Sequence, residues 1–93
     1  MIDATQALEW GLVAVVVADQ DVHAEAERTA QRLAAGPTRA LGRIKRLLGE
    51  AEHRDLVEHL DAEASAIATS AADAEGREGV AAFTSRRPPR FRD

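Results

Sequence analysis

The side chains best suited to chemistry are three histidines, sixteen acidic residues, three serines and a run of arginines at the C-terminal end. His53 and His59 lie six positions apart, so on a helix they point to different faces and cannot share a metal ion; His23 belongs to another element. Surface or capping roles suit all three. Acid–base catalysis by paired carboxylates needs two groups held in a dry cleft with their pKa values pushed apart, whereas every carboxylate here fits an exposed helix face. Ser65, Ser70 and Ser85 have no glycine-flanked elbow and no evident histidine partner, which leaves nucleophilic catalysis without support. Glu75-Gly76-Arg77-Glu78-Gly79 is glycine-rich, but no strand precedes it, so it is not a phosphate loop. The residues alone therefore point to no catalytic set and no metal site.

The arginines are unevenly placed. The chain carries a net charge of −4, yet Arg86, Arg87, Arg90 and Arg92 face only Asp93 within residues 86–93, leaving −7 on residues 1–85. A basic tail of this kind can meet phosphate, an acidic partner or water. Nucleic-acid binding is disfavoured, because the rest of the chain is acidic and only Phe83 and Phe91 are nearby for stacking.

These groups must be carried by a small scaffold. Ninety-three residues make one domain at most, and although 45% are hydrophobic, much of that is alanine and the aromatics are only Trp10, Phe83 and Phe91. The expected core is thin, and helix is favoured. With no cysteine, disulfides and thiolate metal sites are excluded, and a reducing, cytoplasmic setting is the default expectation. The most apolar run, Gly11–Ala18, is far short of the roughly 20 residues a bilayer span needs, and no basic region precedes it as in a signal peptide.

The hydrophobic spacing predicts a mostly α chain of four or five amphipathic helices with one short extended segment. A short helix spans Asp3 to Trp10, with Gly11 placed as its left-handed stop. Leu12–Val17 reads as extended chain, but no second strand exists to pair with it, so its partner lies elsewhere or the segment is loop. Asp19 or Asp21 can cap a helix to about Ala35 that carries Val22, Ala26, Ala30 and Leu33 on one face, and Gly36-Pro37 ends it. Thr38 is the next expected cap, leading into Leu41, Ile44, Leu47 and Leu48, and Gly49 would loosen or kink the chain beyond it. The stripe resumes through Leu56, Leu60, Ala64, Ile67 and Ala71, flanked by a solvated acidic face. Ser70 or Asp73 begins a last helix through Val80, Ala81 and Phe83, broken by Arg-Arg-Pro-Pro. There is no internal repeat.

Two passages go beyond periodicity. Met1-Ile2-Asp3-Ala4-Thr5-Gln6-Ala7-Leu8-Glu9-Trp10-Gly11-Leu12-Val13 resembles the stretch A-x-x-A-x-x-x-G-L-V of the enoyl-CoA hydratase/isomerase (crotonase) family. Glu78-Gly79-Val80-Ala81-Ala82-Phe83-Thr84-Ser85-Arg86-Arg87-Pro88-Pro89-Arg90-Phe91 resembles that family's closing E-G-x-x-A-F-x-x-K-R-x-P-x-F. Between them, Gly36-Pro37-Thr38 with Ala40 and Lys45 is similar to the family's linker and penultimate helix. The resemblance covers residues 1–93 as the family's C-terminal helical segment, with 86–93 as a basic tail.

The resemblance implies that the family's catalytic core, a spiral of β-β-α turns with the oxyanion amides and the acid/base glutamates, is not among these residues. The segment would be catalytically incomplete alone, with no catalytic residue, metal or bound cofactor of its own. It further implies a role in oligomer contacts and in covering the acyl-CoA site. By position, Phe83 would flank the CoA adenine and Arg86 would stand where the family usually has lysine, keeping the charge but changing donor geometry. Against this stands the plainer reading of Phe83 as a core anchor and Arg86 as a solvated charge. The expected partners are a second copy of the chain or a crotonase-type catalytic core, with weak affinity for a CoA thioester and none for nucleic acid or membrane. The alternative is a stand-alone helical oligomerisation module.

Overall fold

The first helix, α1 (Ala4–Glu9), is set by its ends in the computed structural model of the chain, which describes residues 1–92. Asp3 accepts from the Gln6 backbone N–H at 2.8 Å while the Gln6 side chain accepts from the Asp3 N–H at 3.1 Å, a reciprocal capping box. At the other end Gly11 sits at φ +71°, and the N–H groups of Gly11 and Leu12 bond back to the carbonyls of Leu8 and Ala7. This closure places its turning residue in the left-handed region, where glycine has no Cβ to clash.

Five α-helices and two single 3-10 turns occur among the described residues, with no strand. Leu12–Val17 is irregular chain with bends at Leu12 and Ala14, so of the two readings open for it the loop is the observed one. The physical reason is the missing ladder partner. A 3-10 turn, Asp19–Asp21, leads into α2 (Val22–Ala35). The other helices are α3 (Thr38–Glu50), α4 (Leu56–Ala72) and α5 (Ala74–Thr84), with the second 3-10 turn, Ala51–His53, between α3 and α4.

The chain forms two compact units, Met1–Gln31 and the part from Arg32 onward. The first holds α1, the irregular segment and most of α2. The second holds the end of α2, the helices α3, α4 and α5, and the tail, of which Asp93 lies outside the described residues.

Within the second unit the packing surface differs from the apolar stripe expected of α4. Leu56, Leu60, Ala64, Ile67 and Ala71 are all exposed, Leu56 at 74% and Ile67 at 65%. The half-buried positions of α4 are His59, Ala62, Ala66 and Ser70. The small side chains Ala62, Ala66 and Ser70 on that face let α3 and α5 approach, while the large apolar groups of α4 stay exposed. Ala82 of α5, 1% exposed, is the one fully buried hydrophobic residue among those described. Gly76 marks the tightest approach: a Cβ there would lie 1.9 Å from the Ser70 carbonyl oxygen, so only glycine fits.

Candidate functional site

The start of α5 is a polar junction. Asp73 caps the helix by accepting from the Gly76 N–H at 2.9 Å, and its other oxygen meets the Arg43 guanidinium of α3 at 2.7 Å. The same guanidinium donates to the Ser70 hydroxyl at 2.8 Å, which donates in turn to the Ala66 carbonyl. The Gly76 amide first, and Arg43 second, hold the Asp73 carboxyl below its ordinary range. Both side chains are largely covered, at 19% and 13% exposure.

Two residues on, Glu75 caps a different helix. Pro37 stands at the N-cap of α3 and offers no side-chain acceptor, and Thr38, expected as the cap, is the first helical residue. The Glu75 carboxylate fills the role, accepting from the Arg39 N–H at 3.0 and 3.2 Å, from Ala40 at 3.4 Å and from the Thr38 hydroxyl at 3.3 Å. A negative group at a helix N-terminus satisfies unpaired amides and opposes the positive end of the dipole. The segment screened as a phosphate loop is thus a helix turn whose acids bind the chain itself.

The far end of α5 carries the residues singled out for CoA. Phe83 is 87% exposed and anchors no core among the described residues. The helix closes with the Arg86 N–H on the Phe83 carbonyl at 3.1 Å and the Arg87 N–H on the Ala82 carbonyl at 3.0 Å. That pattern matches the end of α1, except that the left-handed position is Arg86, at φ +51°. A side chain in that region costs about 1 kcal/mol or more, so Arg86 is held there against its preference. Its guanidinium makes no hydrogen bond or ion pair among the described residues.

The tail folds back through Glu78. Its carboxylate takes a two-pronged ion pair from Arg87 at 2.7 and 2.9 Å and accepts from the Arg90 backbone N–H at 2.7 Å. Arg87 first, and the Arg90 amide second, pull the Glu78 carboxyl down to about 2, and Glu78 raises Arg87 in return. Arg87 is therefore engaged within the chain rather than free to meet phosphate. Phe91 comes back toward Gly79, where an added Cβ would lie 3.8 Å from its ring. Beneath the tail is a cleft of about 270 Å³ lined by Arg39, Ala74, Glu75, Glu78, Arg90 and Phe91. A second, apolar groove of about 400 Å³ includes Ile44, Leu47, Ile67 and Val80 in its walls. Neither Phe83 nor Arg86 lines these two clefts.

The histidines stay apart in kind: His23 is in α2, His53 in the second 3-10 turn and His59 in α4, where its Nδ1 is buried without a hydrogen-bond partner. No group of three histidine, aspartate or glutamate side chains able to hold a metal occurs among the described residues. Among the described residues, no helix is long and apolar enough to cross a membrane. Residue types and spacing single out Glu78 only as part of a motif and give no prominence to Arg43 or Glu75. The available signal was two glycines three apart inside a helix, a costly choice that marks close packing.

The model of the enoyl-CoA hydratase/isomerase family matches residues 1–93. The chain belongs to this family. It is 39% identical over 90 residues to the 1,2-epoxyphenylacetyl-CoA isomerase of Escherichia coli K12, a match that covers 97% of this chain and 34% of that protein. Among solved structures it is similar to an enoyl-CoA hydratase from Polaromonas sp. JS666, with a TM-score of 0.92 and 35% identity over 98% of this chain and 35% of the other. An enoyl-CoA hydratase/isomerase from Mycobacterium abscessus gives the same TM-score, 0.92, at 37% identity, with the same shares covered, 98% and 35%. The chain thus spans about a third of the length of the crotonase-family relatives it matches.

Proposed function

We propose that this chain is the helical portion of an enoyl-CoA hydratase/isomerase-like protein of acyl-CoA metabolism, acting in the cytoplasm. In this reading it supplies oligomer contacts and covers the CoA site, and it is catalytically incomplete alone. The observation that carries the reading is the inverted packing: alanine and glycine face inward while Leu56, Leu60, Ile67, Ile44 and Leu48 stay exposed. Helices arranged so bury too little to be an end in themselves and present an apolar face of the kind that meets another protein surface. A crotonase-type catalytic core or a second copy of the chain is the partner of matching chemistry.

The names of the similar proteins share the CoA thioester, which supports carrying the ligand's CoA end to this chain. Phe83 offers a stacking face to the adenine and Arg86 a charge-assisted donor to phosphate. With two exposed contacts, a dissociation constant on the order of millimolar is expected, weakening as salt is raised.

The test is the mass of the chain in solution with and without a crotonase-type core, together with crotonyl-CoA hydration by each preparation. The chain alone should turn over no substrate and should self-associate or bind a hydrophobic dye. Turnover by the pure chain, or a compact monomer that binds no dye, would refute the reading.

A further inference from the structure

We infer that Glu78 is the positioning residue of the Phe83/Arg86 site, holding Arg86 in its left-handed backbone conformation by clasping the residues immediately beyond it. The inference rests on the CoA reading of that site. Three observations converge. Arg86 occupies a conformation that side chains disfavour, and such a conformation persists only where the surroundings over-determine it. The next residue, Arg87, is fixed by a two-pronged ion pair to Glu78, and the Arg90 N–H is bound by the same carboxylate. Glu78 itself is held by α5, five residues before Phe83, so one rigid helix carries both the ring and the anchor of the tail.

The consequence for binding is preorganisation. A tail free to sample ordinary backbone conformations would carry Arg86 away from Phe83 and would lose entropy on meeting a ligand. With Glu78 in place, that ordering is complete beforehand. Glu78 touches no ligand in this arrangement; it acts through Arg86.

The experiment titrates CoA into the wild-type chain, Glu78→Ala, Glu78→Gln and Arg87→Lys, following Phe83 and Arg86 amide shifts and the amide NOE values of residues 86–90. Helix content by circular dichroism is the control, and Glu78→Gln, which keeps an acceptor for Arg90, stands in should Glu78→Ala unfold. Loss of tail order with an affinity about tenfold weaker in Glu78→Ala, and a smaller loss in Glu78→Gln and Arg87→Lys, is the expected result. Unchanged affinity despite a disordered tail overturns the inference, as does a tail that stays ordered. A wild-type chain whose Phe83 and Arg86 ignore CoA, while Glu78→Ala still frees the tail, upholds Glu78 as the anchor of Arg86 and overturns the CoA reading.

Discussion

The two sides of α4 are built from opposite materials. Toward α3 and α5 the contacts are Ala62, Ala66, the Arg43–Asp73–Ser70 network and the Gly76 approach to the Ser70 carbonyl. Outside those contacts Leu56 and Leu60 are exposed, and Ile67, also exposed, lines the open apolar groove with Ile44, Leu47 and Val80. In a self-sufficient domain the large apolar groups would be inside. Here the inner side supplies geometry and the exposed side holds the apolar area, so the stability of the unit and the association proposed for it would be carried by different residues and be separable by mutation.

The largest effect should come from Gly76→Ala. The new Cβ would meet backbone, which cannot swing aside, so α4 and α5 must part; a loss of about 3 kcal/mol or more is expected from the urea midpoint. Gly42→Ala in α3 supplies the contrast, because nothing lies within 4 Å of its Cβ. That change should stabilise the helix by roughly 0.5–1 kcal/mol. Equal effects of the two substitutions would mean that the inner side is not tightly packed.

Next in size is Asp73→Ala. It removes the α5 cap and leaves the largely covered Arg43 without its ion pair, so the midpoint should fall, and Arg43→Ala in the same background should add little because the two share one interaction. Full additivity of the pair would break the network into independent contacts.

On the exposed side, Leu56→Glu or Leu60→Glu should move the stability of the chain by no more than about 0.5 kcal/mol, as for other exposed positions. Sedimentation and dye binding should change instead, toward smaller species and less fluorescence. A large stability loss with unchanged association would reverse the assignment of roles to the two sides.

The sequence was most legible where local chemistry decides. Asp3, Gly11, Gly36-Pro37 and Asp73 mark helix ends because caps and turns act within a few residues. The direction in which α4 packs was not legible, since a stripe of leucines says which residues are apolar and not whether their cover lies within the same chain. Thr38 looked like a cap because the competing acceptor, Glu75, comes from 37 residues away. Arg87 looked free for phosphate for the same reason, its partner being Glu78 on the preceding helix. The family resemblance named Phe83 and Arg86, but the left-handed conformation of Arg86, set between the closing hydrogen bonds of α5 and the Glu78 clasp on Arg87 and Arg90, is invisible in residue type, since glycine is the usual occupant.

The smallest expected effect is the acid response of the tail. Glu78 is held at about 2, against an ordinary value of 4.5, by Arg87 and the Arg90 N–H. For a carboxyl whose folded pKa is depressed, the stabilisation is fully present above the unfolded value and disappears as pH falls through the folded one. The clasp should therefore be intact above about pH 4.5, weaken between there and about 2, and be lost below. Because the ion pair is exposed, salt should blunt the response, and its contribution to global stability should be slight. Amide shifts of Arg87 and Arg90 report it directly. In Glu78→Gln those shifts should be flat over the same range, whereas Asp73, depressed by its own partners in the inner junction, should still titrate. If the Arg87 and Arg90 amides of the wild type instead change near the ordinary glutamate value, the clasp is not closed in solution, and the tail is held by the closing hydrogen bonds of α5 and the approach of Phe91 to Gly79.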